Sequence, residues 1–97
     1  MGHTPKSNKW VWVLVQNPGG QEQILGQHDE ESNISFIPTF LAKEHGQKCY
    51  HFMVRETGEK DEFQAIIYED LTRHAVENGF MIFLFNDSGE ILEKIAP

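Results

Sequence analysis

With 97 residues, 39% of them hydrophobic and 11% aromatic, the chain has the apolar content of one folded domain and too much of it for a disordered segment. Eight Lys and Arg face 15 Asp and Glu, and the resulting charge of −7 repels phosphate backbones and anionic membranes, so nucleic acid and lipid surfaces are set aside as partners. The one cysteine, Cys49, excludes an intrachain disulfide, and no apolar run near the N-terminus has the length of a signal peptide or membrane span, so a cytoplasmic setting is expected.

Residues 1–9 are small and polar and are expected to form a flexible leader, with one α+β domain over 10–97. Residues 10–15 are β-branched and aromatic on both alternating sets, the pattern of a strand covered on both faces. Asn17, Pro18, Gly19 and Gly20 then make a strong turn signal. Strands are expected at 22–27 and 34–37, separated by a polar loop at 28–33. Pro38 and Thr39 open the first predicted helix, with Thr39 as its cap. Leu41, Ala42, His45, Cys49, Phe52 and Met53 share one face of that helix, and Gly46 weakens it. Residues 49–54 also suit a strand, but the unbroken face favours helix.

A solvated loop at 56–61 leads to a strand at 63–68. Glu69 and Asp70 favour the positive end of a second helix, which Gly79 stops in the left-handed region. Residues 80–85 form the only six-residue stretch without a polar side chain, and the chain is organised around it as a central strand. Asp87, Ser88 and Gly89 turn it into a last, half-apolar edge strand at 90–95. The order β-β-β-α-β-α-β-β implies a two-layer α+β sandwich, one mainly antiparallel sheet with both helices on one face.

From Ile34 onward the pattern resembles the N-terminal domain of the SseB (enhanced serine sensitivity) family. The matching residues are Ile37, Pro38, Thr39 and Phe40, then Ile66 to Leu71, Asn78 and Gly79, and Leu84, Phe85 and Asn86. The first third resembles a cyanobacterial and plastid domain family of unknown function, through Val11, Val13, Leu14, Asn17, Glu22 and Ile24. These are turn and core positions. The resemblance implies a regulatory or interaction module and brings no catalytic residue with it.

The polar constellations are sparse. His45 and Cys49, four residues apart, stack on one helical face and form a candidate ligand pair, but zinc needs three or four ligands. A small hydrophobic role for Cys49 and a partly buried imidazole at His45 require less. His28, Asp29, Glu30 and Glu31 lack the spacing and glycine of a calcium loop. Ser35 and Ser88 have no nucleophile elbow, and residues 17–20 lack the lysine of a phosphate loop. No cofactor is implied and a non-enzymatic role is expected.

Trp10, Trp12, Phe83 and Phe85 are the candidate interface. Their strands are apolar on both sets, and two helices on one face would leave the other bare. A homodimer or a complex with a partner protein is therefore expected. The alternative is a small-molecule or metal-binding domain centred on His45 and Cys49.

Overall fold

A computed structural model describes residues 4–55, 58 and 60–97. The fold is α+β, a mixed sheet of seven strands with two helices. β1 (Trp10–Gln16) pairs antiparallel along its whole length with β5 (Asp61–Ile67), from Trp10↔Ile67 to Gln16↔Asp61. Its other edge diverges from β4 (Ile34–Phe40), which it meets at Trp12↔Phe40. Two short strands fill the divergence. β2 (Gln23–Ile24) pairs with the end of β1, and β3 (Gln27–Asp29) pairs with the start of β4. β6 (Met81–Phe85) lies parallel to β4, and β7 (Ile91–Ile95) closes the far edge. The sheet is mainly antiparallel as expected, and the 80–85 stretch is an interior strand whose Ile82 and Leu84 are fully buried.

The helices do not share a face. α2 (Tyr68–Asn78) packs Tyr68, Leu71 and Ala75 against Val11, Val13, Val15, Ile37 and Ile82. Opposite them Trp12 and Leu14 point to α1 (Lys43–Cys49) and the 3₁₀ turn that follows it (Tyr50–Phe52), packing with Cys49, Tyr50 and Met53. The two-layer expectation is corrected to three layers, helix, sheet, helix. The cause is legible in β1, because alternate side chains leave a strand on opposite faces and both sets here are apolar. Each set has its own helix, so the sheet face from which a homodimer or a partner complex was expected is covered by the chain itself.

The first helix begins later than expected. Pro38 and Thr39 are strand residues, paired with Phe83 and Leu84 of β6, and buried Thr39 donates its hydroxyl to the Ile37 carbonyl at 3.1 Å instead of capping a helix. A proline is tolerated in β4 because β3 reaches only Phe36 and β1 meets the strand at Phe40, so Pro38 stands opposite a gap. Gly46 is a point of close approach, since a Cβ there would lie 2.5 Å from Cε1 of Phe63. Gly26 serves likewise between β2 and β3, where a Cβ would lie 2.6 Å from the Phe80 ring, and it splits the single strand expected at 22–27.

Other local signals act as expected. Gly79 ends α2 at φ 74°, and Gly89 turns the β6–β7 hairpin at φ 81°. Asn86 holds that hairpin, its Oδ1 accepting the N–H groups of Ser88 and Glu90 at 2.9 Å each. The first turn of α2 has no side-chain cap; its Tyr68 and Glu69 amides donate to the carbonyls of Lys9 and Ser7, and with the Thr4 hydroxyl donating to Glu93 Oε1 at 3.1 Å these bonds tie the leader to the fold. Residues 1–3 of that leader and 56, 57 and 59 of the expected 56–61 loop lie outside the described residues. Among the described residues no helix is long and apolar enough to cross a membrane.

Candidate functional site

α1 ends at Cys49 because the next residue is held elsewhere. The Tyr50 hydroxyl donates to Oδ1 of Asp61 on β5, the Arg55 guanidinium lies 3.8 Å from the Tyr50 ring centroid, and Arg55 pairs with Asp61 at 3.8 Å. The hydrogen bond to the Asp61 carboxylate, and secondarily burial, push the Tyr50 phenol above its ordinary range. With Tyr50 drawn toward β5, Phe52 turns to solvent and is 66% exposed, while Met53 turns inward. Val54, 78% exposed, is clamped by the Gln27 side chain: Gln27 Nε2 donates to its carbonyl at 2.9 Å and its N–H donates to Gln27 Oε1 at 3.0 Å.

These anchors suspend residues 52–54 over the sheet and leave a cleft of about 220 Å³ below them. Phe36, Pro38 and Phe40 of β4 and Phe85 of β6 pave it; Cys49, Phe52 and Met53 form the opposite wall. Gln27, Ser88 and Gly89 are the remaining lining, and the Gln27 amide is already committed to Val54. The paving is rigid. Phe36 stacks on Phe83 with centroids 4.2 Å apart, and Phe40 and Phe85 lie 6.0 Å apart.

Cys49 sits in the cleft wall with its Sγ 3.5 Å from the Asn86 carbonyl. Burial pushes its thiol above the ordinary value of 9.0, so it is protonated at neutral pH and a weak nucleophile. His45, one turn earlier, is half-buried and does not line the cleft; its Nδ1 is buried without a hydrogen-bond partner among the described residues. No group of three or more His, Cys, Asp or Glu able to hold a metal occurs among the described residues. The acidic stretch at 28–31 is turned on itself: Asp29 accepts from the Ser32 hydroxyl and the Glu31 amide, and the Ser32 bond chiefly holds its carboxyl below the usual range. His28 pairs with Ser35, and Glu69 and Asp70 both pair with Arg73.

The four residues expected at an interface separate. Phe83 is buried under Phe36 and Lys94, and Phe85 is half-buried in the cleft floor. Trp10 is 57% exposed, and half-buried Trp12 lies beneath the Lys43 ammonium. Phe36, Pro38, Phe40 and Met53 are not among the site residues that the sequence suggests. Their signal is the spacing of two in Phe36, Pro38 and Phe40, which places all three on one face once β4 runs to Phe40. No family model, curated protein or solved structure matches the chain.

Proposed function

We propose that this chain is a non-catalytic protein-interaction module, acting in the cytoplasm, that receives an apolar side chain of a partner protein in the cleft beneath residues 52–54. One observation carries the reading. The cleft is walled by aromatic and aliphatic side chains, and one of them, Phe52, is 66% exposed to solvent. Its volume, about 220 Å³, is below the ~300–1,000 Å³ of pockets for drug-sized molecules and suits a single large side chain. Burying one such side chain contributes roughly 1.5–3 kcal/mol, enough for an anchor within a larger contact. The resemblance to regulatory and interaction modules agrees with this reading.

Selection of peptides from a random display library, followed by chemical-shift mapping, tests it. Peptides sharing an apolar anchor, with shifts at Phe36, Phe52, Phe85 and Gly89, are expected. Shifts confined to another surface, or no enrichment, would sink it. The second reading, a small-molecule or metal site at His45 and Cys49, is favoured by the unpartnered His45 Nδ1. Cobalt titration checks it, since a thiolate-bound cobalt ion gives an intense near-ultraviolet band. Self-association is the other form of the interaction reading, and its support lies at an edge of the sheet.

A further inference from the structure

We infer that a second copy of this chain adds to the sheet along the free edge of β5, about a two-fold axis through Gln64; the inference rests on the interaction-module reading in its self-associating form. Among the described residues β5 pairs with β1 alone. The direction of its free groups follows from two hydrogen bonds. Asn17 N–H donates to the Lys60 carbonyl and Tyr68 N–H to the Lys9 carbonyl, both at 2.8 Å, so the even-numbered residues 60 to 68 bond toward β1. Alternation in an antiparallel ladder then points the N–H and C=O groups of Asp61, Phe63 and Ala65 outward together with the N–H of Ile67, whose carbonyl is taken by the first turn of α2.

Natural sheets blunt such edges with bulges, prolines or lysines. The opposite edge, β7, does so: it carries Lys94 and is joined to β6 through an irregularity between Leu84 and Phe85. β5 has no Lys, Pro or Gly, and its register against β1 is unbroken over seven residues. Its charge lies at one end, in Asp61 and Glu62, and its apolar residues Ala65, Ile66 and Ile67 lie at the other. A two-fold axis reverses the second strand, so the acidic end of each copy meets the apolar end of the other.

The axis position is selected by hydrogen bonds and charge together. Centred on Gln64, Phe63 faces Ala65 of the second copy and Asp61 faces Ile67, so outward residues meet outward residues. The two Glu62 side chains are then four residues apart along the strand, ~14 Å at a rise of ~3.4 Å per residue, beyond the screening length of ~8 Å. Centred on Phe63, they come within two residues, ~7 Å, of each other. Centred on Ala65, Asp61 and Glu62 have no strand residue opposite them, because β5 ends at Ile67 and α2 begins at Tyr68. On the α1 face the Gln64 axis also brings Phe63 of one copy over the exposed Ala65 of the other, beside Trp10 and Trp12, which pair with Ile67 and Ala65. That patch is where Trp10 lies open to solvent.

Sedimentation up to millimolar concentration, with three variants, tests the inference. The unmodified chain is expected to dimerise. Ala65→Pro removes an outward N–H that the monomer does not use and is expected to give a folded monomer; Ala65→Lys, which keeps the backbone, should do the same and stands in if the proline variant does not fold. Gln64→Cys places two thiols in a non-hydrogen-bonded pair, with Cα atoms ~4.5 Å apart, and should form a covalent dimer on mild oxidation. Glu62→Cys, well removed from the axis, should remain a reduced monomer in denaturing gels. A dimer that survives Ala65→Lys, or a Gln64→Cys chain that does not cross-link, overturns the edge while leaving self-association standing. An unmodified chain that stays monomeric overturns self-association itself and leaves the cleft to be judged by peptide selection.

Discussion

Gly46→Ala separates two opposed physical effects with one methyl group. Helix propensity alone favours alanine by about 1 kcal/mol. The packing opposes it. The added Cβ would lie 2.5 Å from Cε1, 2.9 Å from Cδ1 and 3.0 Å from Cζ of Phe63. Carbon contacts settle near ~3.5–4.0 Å, so helix or ring must retreat by about 1 Å. The ring has little room, because Phe40 meets it edge-on at a centroid distance of 5.9 Å and Tyr50 at 6.1 Å. Overpacking of this kind costs about 1–3 kcal/mol, and the immobile ring argues for the upper end, leaving a net loss of about 2 kcal/mol after the propensity gain. Urea titration of the variant measures the loss as a lower midpoint at unchanged slope. The same substitution made in a Phe63→Val background, where the ring is gone, should reverse sign and stabilise by about 1 kcal/mol relative to that background. If Gly46→Ala stabilises the unmodified protein, α1 is not seated on Phe63 and the wall of the cleft is misplaced.

Gly79→Ala should cost about 1 kcal/mol for a different reason: nothing lies within 4 Å of the new Cβ, so only the positive φ of 74° is penalised. Cys49 should react slowly with a thiol reagent in the native protein and quickly in denaturant, its thiol being buried and held protonated. The same raised pKa makes folding favour the thiol. Its contribution is complete below the unfolded value and is lost as pH rises through the folded one, so stability should decline between pH 9.0 and 10.0, before Tyr50 and Tyr68 add to the slope. A Cys49→Ala chain should lack the decline in that window. Phe52→Ser should leave the urea midpoint nearly unchanged, since the side chain is already 66% exposed, yet abolish capture of the selected peptides.

The features legible in the sequence are those set by a few adjacent residues. β1, the Gly79 stop and the Asn86 hairpin each follow from one local signal, an apolar run, a left-handed glycine or a turn cluster. The start of α1 was not legible, because Pro38 and Thr39 imitate a helix entrance. What makes them strand is a parallel ladder to residues 83 and 84, more than forty positions away. The same long-range pairing assembles the cleft, so its paving residues were divided among the strand expected at 34–37, the opening of the first predicted helix and the central strand at 80–85. The doubly apolar β1 did signal cover on both faces. Placing both helices on one face turned that signal into an expected homodimer or partner complex, where the cover is a second helix layer.

The cleft owes its shape to polar groups although its lining is apolar. Residues 50–54 would gain more burial by collapsing onto Phe36 and Phe85, and a hydrophobic surface left to itself would close. Two sets of bonds prevent this. Tyr50 is held to the β5 side by Asp61 and Arg55, and Val54 is held to the β3 side by both atoms of the Gln27 amide. The segment is therefore fixed at its ends, with Phe52 between them and free of the floor. A partner side chain entering such a cleft meets a site already formed, and little ordering of the chain opposes its binding. Tyr50→Phe and Gln27→Ala should each loosen one end. If the anchors hold the cleft open, either variant should weaken peptide capture while the resonances of Phe36 and Phe85 in the peptide-free protein, whose rings pack within the sheet, stay in place.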